Sequence, residues 1–95
     1  MATDSAVETT QFIATYLRNK AYYNRIAQGV IAERAQLSRS AVNDYLNGNV
    51  EMRLTAFLDV CAAIGVNPDD VVRAAAAHVS EAGPDVTLTE GRMAQ

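Results

Sequence analysis

An all-α fold of five helices is what this sequence predicts, and three observations predict it. Apolar residues recur at three- and four-residue spacing along most of the first 82 residues. Start and stop signals punctuate that pattern, most plainly Gly65-Val66, then Asn67-Pro68-Asp69-Asp70, then Gly83-Pro84. Between Gln28 and Gly48 the stretch QGVIAERAQLSRSAVNDYLNG reads as two short helices separated by a tight break. A chain of 95 residues is long enough for one small core and not for two.

The first helix is expected from about residue 5 to 24. Ser5-Ala-Val-Glu8 fits a capping box, in which Ser5 caps and Glu8 reaches back to its amide. Ile13, Tyr16, Leu17 and Ala21 form its inward stripe. Phe12 and the pair Tyr22-Tyr23 are read as packing residues, with a tyrosine hydroxyl on phosphate as the alternative.

The second helix, residues 28–35, turns Ile31, Ala32 and Ala35 to one side. The break falls at Gln36-Leu37-Ser38, where the Ser38 hydroxyl can accept an orphan amide of the next helix. The third helix, residues 39–47, has Val42, Tyr45 and Leu46 on an apolar face. Ser40, Asn43, Asp44 and Asn47 form a polar face, and Arg39 stands at the open N-terminal end. Gly48 follows where a left-handed residue ends a helix at no steric cost.

A fourth helix is expected at about 53–64, with Leu54, Phe57, Leu58, Cys61 and Ile64 on one face and a Schellman stop at Gly65. The fifth, residues 68–82, starts from Asn67 as cap, Pro68 at the first position and two acids at the positive end of the dipole. Its apolar side would carry Val71, Val72, Ala75, Ala76 and Val79. Residues 84–95 read either as a frayed tail or as a short strand in which Val86 and Leu88 alternate with threonines.

Two short helices, a three- to four-residue turn and a second helix opening on short donors and acceptors describe a helix-turn-helix reader. From Gln28 to Gly48 the sequence resembles the phage repressor and Cro group of XRE-type regulators, with the spacing of a lambda-repressor-like headpiece and no gap. The glutamine that opens the family's first reader helix matches Gln28. Its small buried residue matches Ala32, its apolar residue in the recognition helix Val42, and its closing Asn-Gly Asn47-Gly48. The family usually has glycine in the turn, where this chain has Gln36. Gln36 must therefore adopt a left-handed conformation at roughly 1 kcal/mol, or the turn takes a different path. The resemblance implies a five-helix DNA-binding domain whose positions 39, 40 and 43 face the groove, and a Gln28 that also braces Arg39.

Charge is compatible with that expectation only through its distribution. The whole chain carries −3 with a pI near 4.9. Residues 16–55 nevertheless hold six cations against three acids, a local +3, while the segments before and after contribute −2 and −4. Such a domain should bind DNA weakly without sequence preference.

Base reading requires donor and acceptor patterns in the major groove. Arg39 can give two donors to guanine O6 and N7, Asn43 can pair with adenine N6 and N7, and Ser40 can serve several bases. Asp44 would be repelled by phosphate unless it accepts from cytosine N4 or restrains Arg39 or Lys20. Gln28, Ser38, Lys20, Asn47, Asn49 and Arg53 are candidate backbone-positioning contacts. The alternative for the whole set is an ordinary solvated helix face.

Other chemistry finds little to work with. His78 has no partner cysteine or carboxylate at ligand spacing, so no metal or other cofactor is expected. Cys61 falls on an apolar helix face and reads as packing; as the one cysteine it allows no internal disulfide and suits a reducing cytoplasm. There is no glycine-rich phosphate loop, no apolar run of membrane-spanning length, and an acidic start where a signal peptide would be basic. The expectation is a cytoplasmic transcriptional regulator of repressor or Cro type, bacterial or phage, with a double-stranded DNA operator as partner and no small-molecule substrate. A homodimer through Val72, Ala75, Ala76 and Val79 is expected, because one headpiece reads too few base pairs; the alternative is that this helix simply closes the monomer's own core. The alternatives are an antitoxin of the same fold and a protein-interaction module that has lost DNA binding.

Overall fold

The computed structural model describes residues 4–82, and the expectations for the 84–95 tail lie outside them. Five helices follow one another: α1 (Asp4–Tyr23), α2 (Gln28–Ala35), α3 (Arg39–Leu46), α4 (Leu54–Ile64) and α5 (Pro68–Ala82), with no strand among the described residues. Helix α1 already includes Asp4, so Ser5 lies inside the helix and not at its cap.

Four helix ends are built alike. After α1, α2, α3 and α4 one residue turns left-handed: Arg25 (φ 59°), Gln36 (φ 59°), Gly48 (φ 73°) and Gly65 (φ 88°). In each case the amide just after the left-handed residue reaches back to a carbonyl five residues earlier: Ile26 to Ala21, Leu37 to Ala32, Asn49 to Asp44 and Val66 to Cys61. These are Schellman closures, which satisfy carbonyls that the helix itself leaves open. Two use glycine and two do not, and the second pair carries the left-handed cost of about 1 kcal/mol per residue. Gln36 takes the left-handed conformation, so the turn follows the tight path despite lacking glycine.

Helix α2 packs against α4 and α3, while α1 lies across α3, α4 and α5. Their shared core is Leu17, Ile31, Val42, Leu46, Val60, Cys61 and Val71, with Phe57 and Ile64 closing it. On α1, Ala14 is buried with Leu17 and Ala21, and Ile13 and Tyr16 pack at the edge. Tyr22 and Tyr23 do not pack: they are 87% and 82% exposed, because the inward face of α1 runs through Leu17 and Ala21 and they fall beside it. Phe12 does pack, stacked on His78 of α5 with ring centroids 4.5 Å apart.

The inward faces of α4 and α5 differ from those expected. Helix α4 buries Ala56, Phe57, Val60, Cys61, Ala63 and Ile64 and leaves Leu54 71% exposed, with Leu58 also outward. Its sequence is apolar almost all round, so periodicity alone cannot choose the face. Helix α5 buries Val71 and Ala75 and turns Val72, Ala76 and Val79 to solvent.

Candidate nucleic-acid interface

The α2–turn–α3 unit is fixed by local chemistry at each joint. Ser38, in extended conformation, accepts from the Ala41 amide at 3.0 Å and starts α3. Ala27 starts α2 without any side-chain cap, so the amides of its first turn keep no side-chain acceptor. The side chain of Arg39, at the start of α3, reaches the start of α2. A Cβ added at Gly29, in the first turn of α2, would stand 3.8 Å from Nε of Arg39, in the first turn of α3. The guanidinium thus passes the backbone of α2 at ordinary van der Waals distance. The uncapped start of α2 and one cation meet there, an arrangement that favours an anion.

Along α3, Val42 and Leu46 are buried, Ala41 and Tyr45 half-buried, and Arg39, Ser40, Asn43 and Asn47 exposed. Arg39, Ser40 and Asn43 share one face of the first turns. Asp44 is half-buried, and among the described residues it makes no ion pair with Arg39 or Lys20. No hydrogen bond joins Gln28 to Arg39 among the described residues; what Arg39 lies beside is Gly29, which has no side chain to displace it. Lys20 stands over the Tyr16 ring, 5.7 Å from its centroid, and Arg53 caps α4 by backbone alone, with its side chain exposed. Asn49 is exposed just past α3.

Helix α1 closes the C-terminal end of α3. Arg18 Nη1 donates to the carbonyl of Leu46 at 3.0 Å and to Oδ1 of Asn47 at 3.4 Å. Asn47 Nδ2 in turn donates to Oδ1 of Asn43 at 3.1 Å. Gln11 Nε2 donates to the carbonyl of Gly48 at 2.9 Å. Sequence reasoning gave Arg18 and Gln11 no role, since their partners lie 28 to 37 residues away. Arg34 is likewise engaged, donating to the Ala63 carbonyl at 2.9 Å at the end of α4. Arg18 and Arg34 are thus held at helix ends and Lys20 over a ring, while the side chains of Arg25, Arg39 and Arg53 make no hydrogen bond or ion pair among the described residues.

Two other expectations concern α5 and the core. Ala75 is only 6% exposed and faces its own core, so it cannot belong to an intermolecular surface. Val72, Ala76 and Val79, spaced i, i+4, i+7, form the outward stripe. Val72 also borders an open apolar hollow of about 280 Å³ with Val50, Leu54 and Phe57. Burial pushes the Cys61 thiol up from 9.0 to about 11, away from the thiolate that a nucleophile or ligand needs. Among the described residues no cluster of histidine, cysteine or carboxylate could hold a metal, and no helix is long and apolar enough to cross a membrane.

No family model and no curated protein matches the chain. Among solved structures it is similar to the clp gene regulator ClgR from C. glutamicum, with 21% identity and a TM-score of 0.67 over 74% of this chain and 91% of that one. At this identity the likeness shows a shared all-α fold.

Proposed function

We propose that this protein is a sequence-specific double-stranded DNA-binding regulator of transcription, of repressor or Cro type, from a bacterium or its phage. The observation that carries the reading is Arg39, at the start of α3, lying against the uncapped start of α2, with Ser40 and Asn43 exposed one step further along α3. A duplex fits this arrangement better than a small anion, because the polar face continues for two turns and ends in Asn47 and Asn49. The fold shared with a gene regulator supports the same reading.

In this account Arg39, Ser40 and Asn43 read base edges, and Asp44 accepts from a cytosine N4. Gln28 and the uncapped amides of α2 hold one phosphate, while Lys20, Ser38, Asn47, Asn49 and Arg53 position the backbone. Two copies pair through Val72, Ala76 and Val79, because a single headpiece gives too small a specificity ratio in a genome. Two-fold symmetry sets half-sites about 10–10.5 base pairs apart, or a multiple of that.

Selection from a random duplex library at two salt concentrations tests DNA reading, and sedimentation with footprinting tests pairing. The expected outcome is an inverted repeat, with a dimer that Val72→Asp dissociates. A monomer protecting one asymmetric site would overturn pairing and leave the reader intact. Absence of binding even at low salt would sink the DNA reading. It would favour a protein-interaction module, the role that a net charge of −3 and an ion-unpaired Asp44 on the reader suit better.

A further inference from the structure

Arg18 is the one cation of the reader region bonded to the recognition helix itself, and its bond pattern continues toward the base-reading face. Its Nη1 also donates to Oδ1 of Asn47 at 3.4 Å, the sense in which the Asn47 amide directs Nδ2 away from Arg18. That Nδ2 donates to Oδ1 of Asn43, one turn earlier and outward. An amide on an exposed helix position is otherwise free to turn over, since its oxygen and nitrogen ends have nearly the same shape. Here a guanidinium, which has donors only, sets the sense of the whole chain. Each amide is pinned at its oxygen, so the Asn43 Nδ2 is left unpaired among the described residues, with one lone pair of its Oδ1 still open.

We propose that Arg18 is a positioning residue for base readout: through Asn47 it fixes which end of the Asn43 amide faces the DNA. The proposal rests on the reading that Asn43 meets a base. It makes the preference at that base a property of a residue on α1, outside the helix-turn-helix. With the relay intact, Asn43 presents an outward donor beside its remaining acceptor, the pattern that matches adenine N7 and N6. With the relay cut, the amide samples both senses and discriminates less.

The test is a base-preference profile, measured by library selection on the full-length chain and its variants. Asn43→Ala first locates the base pair concerned. Arg18→Met removes the anchor. Asn47→Asp keeps an acceptor for Arg18 but has no donor for Asn43, so the Asn43 amide turns its Nδ2 toward the new carboxylate and its Oδ1 toward the groove. At the base pair located by Asn43→Ala, Arg18→Met should lower discrimination from about tenfold to under about threefold. Asn47→Asp should move the preference toward a base that presents a donor, such as cytosine. Preferences at the base pairs read by Arg39 and Ser40 should be kept in both variants, whatever total affinity Asn47→Asp loses at the phosphates, whereas a general loss of fold would erase preference at every base pair. An unaltered profile at the Asn43 position in Asn47→Asp overturns the relay, even should Arg18→Met fail to fold. An Asn43→Ala profile identical to the parent overturns base contact by Asn43 and the relay with it.

Discussion

The side-chain amide of Gln11 donates to the carbonyl of Gly48 at 2.9 Å, and a Cβ built on Gly48 would stand 2.6 Å from that amide nitrogen. Gly48 is thus required twice, for its φ of +73° and for the space that Gln11 fills. Gly48→Ala should destabilise the fold by about 1 kcal/mol for the left-handed backbone and by about 0.5–1.5 kcal/mol for the displaced hydrogen bond. Gln11 is flexible at its end, so the clash resolves by losing the bond rather than by moving backbone. Urea unfolding of Gly48→Ala, Gln11→Ala and the double variant checks this. The double variant should cost less than the sum of the two, and strict additivity would show that the residues are independent.

Gln36 holds a left-handed conformation that glycine adopts freely. Gln36→Gly should raise the stability of the domain by up to about 1 kcal/mol, the relieved strain exceeding the added freedom of the unfolded chain. Gln36→Val, branched at Cβ, should destabilise it. Thermal unfolding of the two variants gives opposite shifts in Tm; a lower Tm for Gln36→Gly would mean that the Gln36 side chain holds the turn.

Arg39 and Arg53 separate base reading from charge. Arg39→Ala should cost about 1–3 kcal/mol on the selected site and relax preference at one base pair. Arg53→Ala should leave preference intact and lower the slope of log affinity against log salt by about 0.9. With few cations near α2 and α3, the parent slope should correspond to roughly three to five phosphates per subunit. Equal losses on selected and random DNA would make Arg39 a phosphate contact, and an unchanged slope would remove Arg53 from the interface.

Cys61 gives a pH dependence with a definite sign. Burial raises the thiol from 9.0 to about 11, so the folded state keeps a proton that the unfolded state releases between those values. Stability is therefore unaffected by this group below about pH 9 and falls as pH rises from 9 toward 11, by up to about 2–3 kcal/mol. Cys61→Ala should be less stable at neutral pH, because it leaves a small cavity, yet lose less between pH 9 and 11. Parallel curves for the two proteins would assign the alkaline loss to other groups.

What the sequence determined by itself is the set of features closed by short-range chemistry. Ser38 caps α3 through Ala41, Asn67 caps α5 through the Asp69 amide, and Gly48 and Gly65 end their helices. Each involves atoms no more than five residues apart, so residue type and spacing suffice to read them. The core stripe Ile31, Ala32 and Ala35 was legible for a related reason, since α2 is apolar on one side only. Arg25 was not, because a left-handed arginine carries no local mark; the six-residue loop that joins Ile26 to Ala21 imposes it. Tertiary structure alone decided the buried faces of α4 and α5. Both helices offer more than one apolar stripe, and packing against α1 and α2 selected among them, withdrawing Ala75 and exposing Leu54. It also decided what covers the end of α3 that Gly48 closes. Gln11 and Arg18 reach Gly48, Leu46 and Asn47 across 28 to 37 residues of chain. Such bonds depend on where α1 crosses α3, and that crossing exists only once the core has closed.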